Sequence, residues 1–231
     1  DTVIDFDEND FSEESANNMS ISREGVVKFA ALSEVLEEFK RLCEMVGIRY
    51  YAINETLLAT ISGDYSKVVD RGIEVAIHRT DLSKFIDILP RKLGGWFNYS
   101  TLFSHDEQHD IRMMIWSDDY MCKSDEFAKR FHGYTERAYI YISLIDGVAE
   151  DEERDKIRQV LIKNLYVTSL SMPTTPPYSE DVLAIVKEWE DILHIEIKTN
   201  SDLRCSFLRN VDRMSGDVSG EEHSKVRINS D

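Results

Sequence analysis

The stretch 29–46 constrains this chain more than any other. Phe29, Leu32, Leu36, Phe39, Cys43 and Val46 recur at steps of three and four, which lays one apolar stripe along a helix of about five turns. A stripe of that length demands a second layer to cover it. Gly47 is a natural stop, and 48–53, rich in β-branched and aromatic residues, reads as a strand. Helical period therefore passes straight into strand period.

The same alternation continues downstream. A short helix is expected over 56–61, then a strand over 73–77, in which Ile73, Val75 and Ile77 alternate with Glu74 and Ala76, placing Glu74 on the face opposite the aliphatics. Thr80 or Asp81 can cap a helix running to Leu89, which Pro90 is expected to end. Segments 96–103, 111–116 and 139–144 read as further strands, and 151–165 and 179–193 as helices. The order of elements is that of a mixed α/β (α+β) chain, a mixed sheet flanked by helices.

Residues 1–22 are dense in Asp, Glu, Asn and Ser and read as an acidic arm that builds no core of its own. Three of the four prolines lie in 171–178, which divides a core over 23–170 from a helical and irregular C-terminal appendage over 171–231. Beyond Ile197 the chain turns polar, and 211–231 shows no convincing period.

The 27 basic and 44 acidic residues give a formal charge of −17, which repels a phosphate backbone and argues against nucleic acid as a partner. The longest apolar run, 138–145, is far short of the ~20 residues that span a bilayer. Cys43, Cys122 and Cys205 are too few and too widely spaced for a disulfide framework or a zinc site and read as reduced thiols. No basic-then-apolar signal follows Asp1. The compartment stays open between a cytoplasmic or membrane-peripheral setting in a bacterium and a secretory lumen.

Several segments, taken in order, resemble one family. LEEFKRLCEMVGIRYY at 36–51 is similar to the opening helix and strand of the LicD family, and Thr56-Leu57-Leu58 to the segment after that family's Gly-Gly turn. Val69-Asp70-Arg71-Gly72-Ile73-Glu74-Val75-Ala76-Ile77 falls on its DDDIDVGM-like motif, and 79–85 on the helix that follows. Tyr141-Ile142-Ser143-Leu144-Ile145-Asp146-Gly147-Val148 resembles its DIFPLDGV-like strand and turn, and Asp212-Arg213-Met214-Ser215 is a weaker echo of a late segment. Residues 26–148 carry most of the likeness.

The resemblance, which extends to fukutin-like proteins, implies a nucleotidyltransferase fold. It also implies transfer of a phosphorylated small alcohol, phosphocholine or a polyol phosphate, from a CDP-activated donor to a cell-surface glycan with Mg²⁺. Such a site needs two carboxylates on neighbouring same-face positions of one strand and a third from an adjacent strand, so that the ion is held against the donor's phosphates. Here Gly72 stands at the first position, Glu74 at the second and Tyr141 at the third, while Asn54-Glu55 replaces the Gly-Gly turn.

The resemblance thus implies Glu74 as catalytic and metal-binding carboxylate, Asp70 as its helper in both roles, Asp146 as a further metal carboxylate and Arg79 as a contact to donor phosphate. If 70–74 is extended, Asp70 and Glu74 lie ~13 Å apart, and sharing one ion requires the chain to bend at Gly72.

Each of these residues also has a plainer reading. Glu74 is equally the exposed half of an alternating strand, Asp70 a turn carboxylate, Asp146 the first residue of an Asp-Gly turn, and Arg79 part of a helix cap. His105 and His109, with Asp106, Glu107 and Asp110, form either a divalent-ion array or a solvated hairpin loop. Two functions follow: a LicD-like transferase, or a catalytically impaired relative that keeps the cleft as a glycan- or nucleotide-binding module or serves as a scaffold.

Overall fold

The computed structural model describes residues 3–4, 12–18, 21–104, 109–117, 124–217 and 226–229. It divides the chain into two compact units, one containing the residues up to Tyr99 with Met113–Ile145, the other Ser100–Arg112 with Asp146–Asn229. The proline-rich stretch 171–178 thus lies within the second unit.

In the first unit, α1 (Glu13–Asn18) precedes α2 (Arg23–Val46), the helix expected from the apolar stripe. Ser22 caps α2 by accepting the Gly25 N–H, and Gly47 closes it in a left-handed conformation with φ of 70°. The helices α3 (Asn54–Ser62), α4 (Ser66–Arg71), α5 (Leu82–Lys92) and α6 (Asp125–Arg130) complete the set. The strands are β1 (Tyr50–Ala52), β2 (Ile73–His78), β3 (Phe97–Ser100), β4 (Met113–Ser117) and β5 (Tyr139–Gly147).

These strands form one mixed sheet in the order β1-β2-β5-β4-β3. β2 is antiparallel to β1 and parallel to β5, and β4 is antiparallel to β5. Ile73, Val75 and Ile77 join Leu32, Val35, Phe39, Leu42, Phe85 and Leu89 in a single buried cluster. The α2 stripe and the aliphatic face of β2 are therefore two sides of the same core, and removing their apolar area from water stabilises both at once.

Three local features depart from the sequence expectations. α5 runs past Pro90 to Lys92, because a proline this near a helix end forgoes only one of the last bonds while Leu93 N–H still reaches Leu89 O at 3.1 Å. The acidic arm is anchored: Ala16 is buried, and the Val3 and Ile4 N–H groups donate to the Glu34 carboxylate at 3.0 to 3.1 Å. Fourteen residues expected to be largely irregular form a helix, α9 (Leu203–Gly216), with Asp202 accepting the Cys205 N–H as its cap.

The second unit is mainly helical, with α7 (Glu152–Ser171), α8 (Glu180–Leu193), α9 and a short strand, β6 (Val226–Asn229). Leu165, Met172, Val186, Trp189, Leu203, Phe207 and Val211 form its own buried cluster. Among the described residues, no helix is long and apolar enough to cross a membrane.

Candidate functional site

Glu74 is half-buried on β2, and the register sets it opposite Tyr141 of β5. Side chains of paired residues on adjacent strands leave the sheet on the same face. Tyr141 therefore shares the face of Glu74, as do Tyr139, whose ring lies 5.2 Å from that of Tyr141, and Met114 and Trp116 from β4. The backbone at Glu74 is held on both sides: its N–H donates to Thr56 Oγ1 at 2.8 Å and its carbonyl accepts the Ile53 N–H at 3.2 Å. Asn54, at the start of α3, has φ of 48°. A left-handed residue thus opens α3, of the non-glycine type that best tolerates that conformation.

Gly72 turns the chain from α4 into β2 with φ 89° and ψ 173°, a conformation open essentially to glycine alone. A Cβ built there would lie 2.8 Å from the Tyr139 ring and 3.0 Å from its carbonyl oxygen. An Asp at this position cannot be accommodated without moving backbone.

The bend at Gly72 does exist, and it leaves Asp70 in α4 rather than on an extension of β2. Asp70 is exposed and lines a cavity of about 560 Å³ with Ser22, Glu24, Lys28, Tyr134 and Glu136 at the start of α2, a cavity that Glu74 does not line. Arg79 is half-buried in a 3-10 turn, Arg79–Asp81, beyond the far end of β2. Asp146 is buried near the end of β5, five positions past Tyr141. Glu74 lies near the start of β2 and Arg79 just past its end, ~16 Å along an extended strand. Among the described residues, no group of three or more His, Cys, Asp or Glu is arranged to hold a metal ion. One carboxylate opposite a tyrosine, with a glycine that admits no Cβ at the next same-face position, does not make the donor set of a catalytic Mg²⁺.

Of the possible divalent-ion array, His105, Asp106 and Glu107 lie outside the described residues. His109 instead bonds Asp202 at 2.6 Å, and Asp110 is paired with Arg112 at 2.8 Å.

Two charge centres escaped the sequence reading. In the first unit, Glu34 is fully buried on α2. Its carboxylate takes Arg130 Nη1, the His132 Nε2 donor at 2.9 Å and the N–H groups of Val3 and Ile4. Burial alone would push its pKa up, but the hydrogen bonds from His132, Arg130, Ile4 and Val3 outweigh it and bring the group from 4.5 to about 2. The Arg130 guanidinium lies over the rings of Phe131 and Phe97 at 5.4 and 5.8 Å, shielded on its faces as well as paired.

In the second unit, Asp155 is buried near the start of α7 and is shared by Arg158 at 2.9 Å and Arg227 at 2.8 Å. Burial raises its pKa, and the two guanidinium hydrogen bonds more than reverse that. On α2, Glu34 falls on the side opposite the 29–46 stripe, with Ala30, Glu38 and Arg41, so periodicity marks it as solvent-facing, and its partners, about a hundred residues on, are not readable from it.

The protein-family models, characterised proteins and solved structures with which the chain was compared gave no match.

Proposed function

We propose that this chain is a LicD-like protein of nucleotidyltransferase fold in which the metal site is impaired, and that it binds a cytidine-nucleotide ligand rather than turning one over. The observation that carries this reading is the pairing of Glu74 with Tyr141 across β2 and β5. The alignment of motifs assigns the second and third carboxylates to these two positions, and the register makes them direct neighbours, as a shared ion would require. Independent segments of sequence thereby fall into one consistent geometry. The chemistry at the same spot argues against turnover. A tyrosine ring occupies the third position, and the first is a glycine whose backbone excludes Asp. An aromatic face of Tyr139, Tyr141 and Trp116 beside one carboxylate suits stacking of a base or sugar ring better than it suits holding a phosphate-bound metal.

The second reading, transfer of a phosphorylated alcohol from a CDP-activated donor to a cell-surface glycan with Mg²⁺, is favoured by Glu74, which stands where the family's second carboxylate does. In that case Glu74 would be the essential group, with Arg79 on the donor phosphates and Asp70 and Asp146 as further carboxylates. Titration with CDP-choline and CDP-ribitol, with and without Mg²⁺, separates the two. The binding reading expects a saturable rise in Tm that is indifferent to Mg²⁺, with no release of CMP. Mg²⁺-dependent CMP release that Glu74→Gln abolishes would establish the transferase instead.

A further inference from the structure

Exposed charges on helices commonly find a partner one turn away, as Lys84 does in Asp81 and Lys187 in Asp191, each at 3.0 Å. Four others do not. Lys156 and Lys163 of α7 and Asp181 and Glu188 of α8 are exposed, and none of these side chains has an ion pair or hydrogen bond among the described residues.

The four stand on stripes with exposed aliphatics between them. On α7 the stripe is Lys156, Val160, Lys163 and Val167; on α8 it is Asp181, Ile185, Glu188 and Ile192. Both advance by four, three and four residues, so each follows one face of its helix. Val160 and Val167 are 59% and 56% exposed, Ile185 and Ile192 37% and 46%. The inner faces of the same helices are already used in the core of their unit, through Leu165, Val186 and Trp189.

The two stripes are complements. Laid parallel, Lys156 meets Asp181, Val160 meets Ile185, Lys163 meets Glu188 and Val167 meets Ile192. Laid antiparallel, each lysine meets an isoleucine and each valine a carboxylate, so the pattern selects one orientation. Glu152 and Glu153, one turn before Lys156, fall beyond the start of α8 in the parallel register and oppose nothing on it. Within one chain the stripes do not meet, since every residue of both stays exposed.

We propose that they meet between chains, α7 and α8 forming the interface of a homodimer in which the α7 stripe of each copy lies parallel to the α8 stripe of the other. A two-fold axis makes that contact twice, because what α7 of one copy gives to α8 of the second, its own α8 receives in return. Each contact holds two ion pairs, which fix partner and register, and the aliphatics between them supply the apolar burial. The occupant is a second copy because the complement, in spacing, in charge and in the place of its apolar residues, is carried by this same chain. The lysines also give a chain of formal charge −17 a face on which another such chain can approach it.

Sedimentation equilibrium of the whole chain over a range of concentrations tests this, and a reversible monomer–dimer equilibrium is expected. Reversing the α7 charges, Lys156→Glu with Lys163→Glu, should weaken it ~30-fold or more, because the ion pairs of both contacts become like-charge contacts. Asp181→Lys with Glu188→Lys should do the same. All four positions are exposed, so both double variants are expected to fold as the wild type does, which circular dichroism checks. Mixed in equal amounts, the two variants should form a heterodimer at concentrations where each alone is monomeric, since both contacts then join opposite charges again. A wild type still monomeric at ~1 mM overturns the proposal and leaves the stripes to another partner or to solvent. A dimer that neither double variant weakens also overturns it, by placing the interface elsewhere, and so does a mixture in which association is not restored.

Discussion

Glu34 and Asp155 are the same device built twice, a buried carboxylate between an arginine and a second side-chain donor, and they differ in completeness. Glu34 receives Arg130, His132 and two backbone N–H groups, and Arg130 is sealed against two aromatic rings. Asp155 is also buried and accepts from Arg158, Arg227 and the Ala149 N–H, yet Arg158 and Arg227 keep nitrogens without a partner among the described residues. The difference separates two uses of a buried charge. A fully answered one closes a structure and fixes the N-terminal segment; one whose arginines are half answered carries the cost of stranded donors.

The sharpest way to break the comparison is Glu34→Ala. It leaves the Arg130 guanidinium, 7% exposed, without its carboxylate, and unfolding in urea should show a loss of about 3–5 kcal/mol, the usual cost of stranding one half of a buried pair. A loss no larger than that from a matching change at Asp155 would mean that completeness is not what distinguishes the two centres.

Acid should act next most strongly. Because the folded pKa of Glu34 is depressed from 4.5 to about 2, its contribution is fully present above 4.5 and is lost as pH falls through about 2. The shift is worth about 3 kcal/mol at neutral pH. Denaturant unfolding between pH 6 and pH 2 should show that loss in the wild type and a flatter profile in Glu34→Gln.

Asp155→Asn should cost less, about 1–2 kcal/mol by the same urea measurement, since Arg158 and Arg227 are 14% and 35% exposed and regain water when their shared acceptor weakens. The smallest effect should follow deletion of residues 1–4. It removes the two N–H donors on Glu34 but leaves Arg130 and His132, and a fall of about 1 kcal/mol is expected because solvent near the exposed Val3 can replace them. An unchanged Tm would return that segment to the status of a bare acidic arm.

The two centres also show where reading the sequence stopped. The α2 stripe, the strand at β2 with Glu74 off its aliphatic face, the Gly47 stop and the mixed α/β order were all legible, because each is written in residues three, four or two apart along one segment. α9 was missed: its polar sequence does not mark it as a helix, and its buried face, Leu203, Phe207 and Val211, becomes recognisable only once packed. At the candidate site the sequence supplied Glu74, Gly72 and Tyr141 as the positions of interest. It did not supply the backbone at Gly72, which an extended reading of 70–74 misjudged by leaving out α4.

What the sequence by itself determined is local: which segments have a face to bury, and where α2 starts and stops. What only the tertiary structure decided is which charges meet. Glu34 and Arg130 are 96 residues apart and Asp155 and Arg227 are 72, and no period links such positions. Their pairing, and with it the contrast between a fully and a partly satisfied charge centre, is set by the packing of elements that each had independent reasons to form. A buried charge is tolerable only where distant groups converge on it, so the chemistry of these sites became readable only after the fold had brought its partners together.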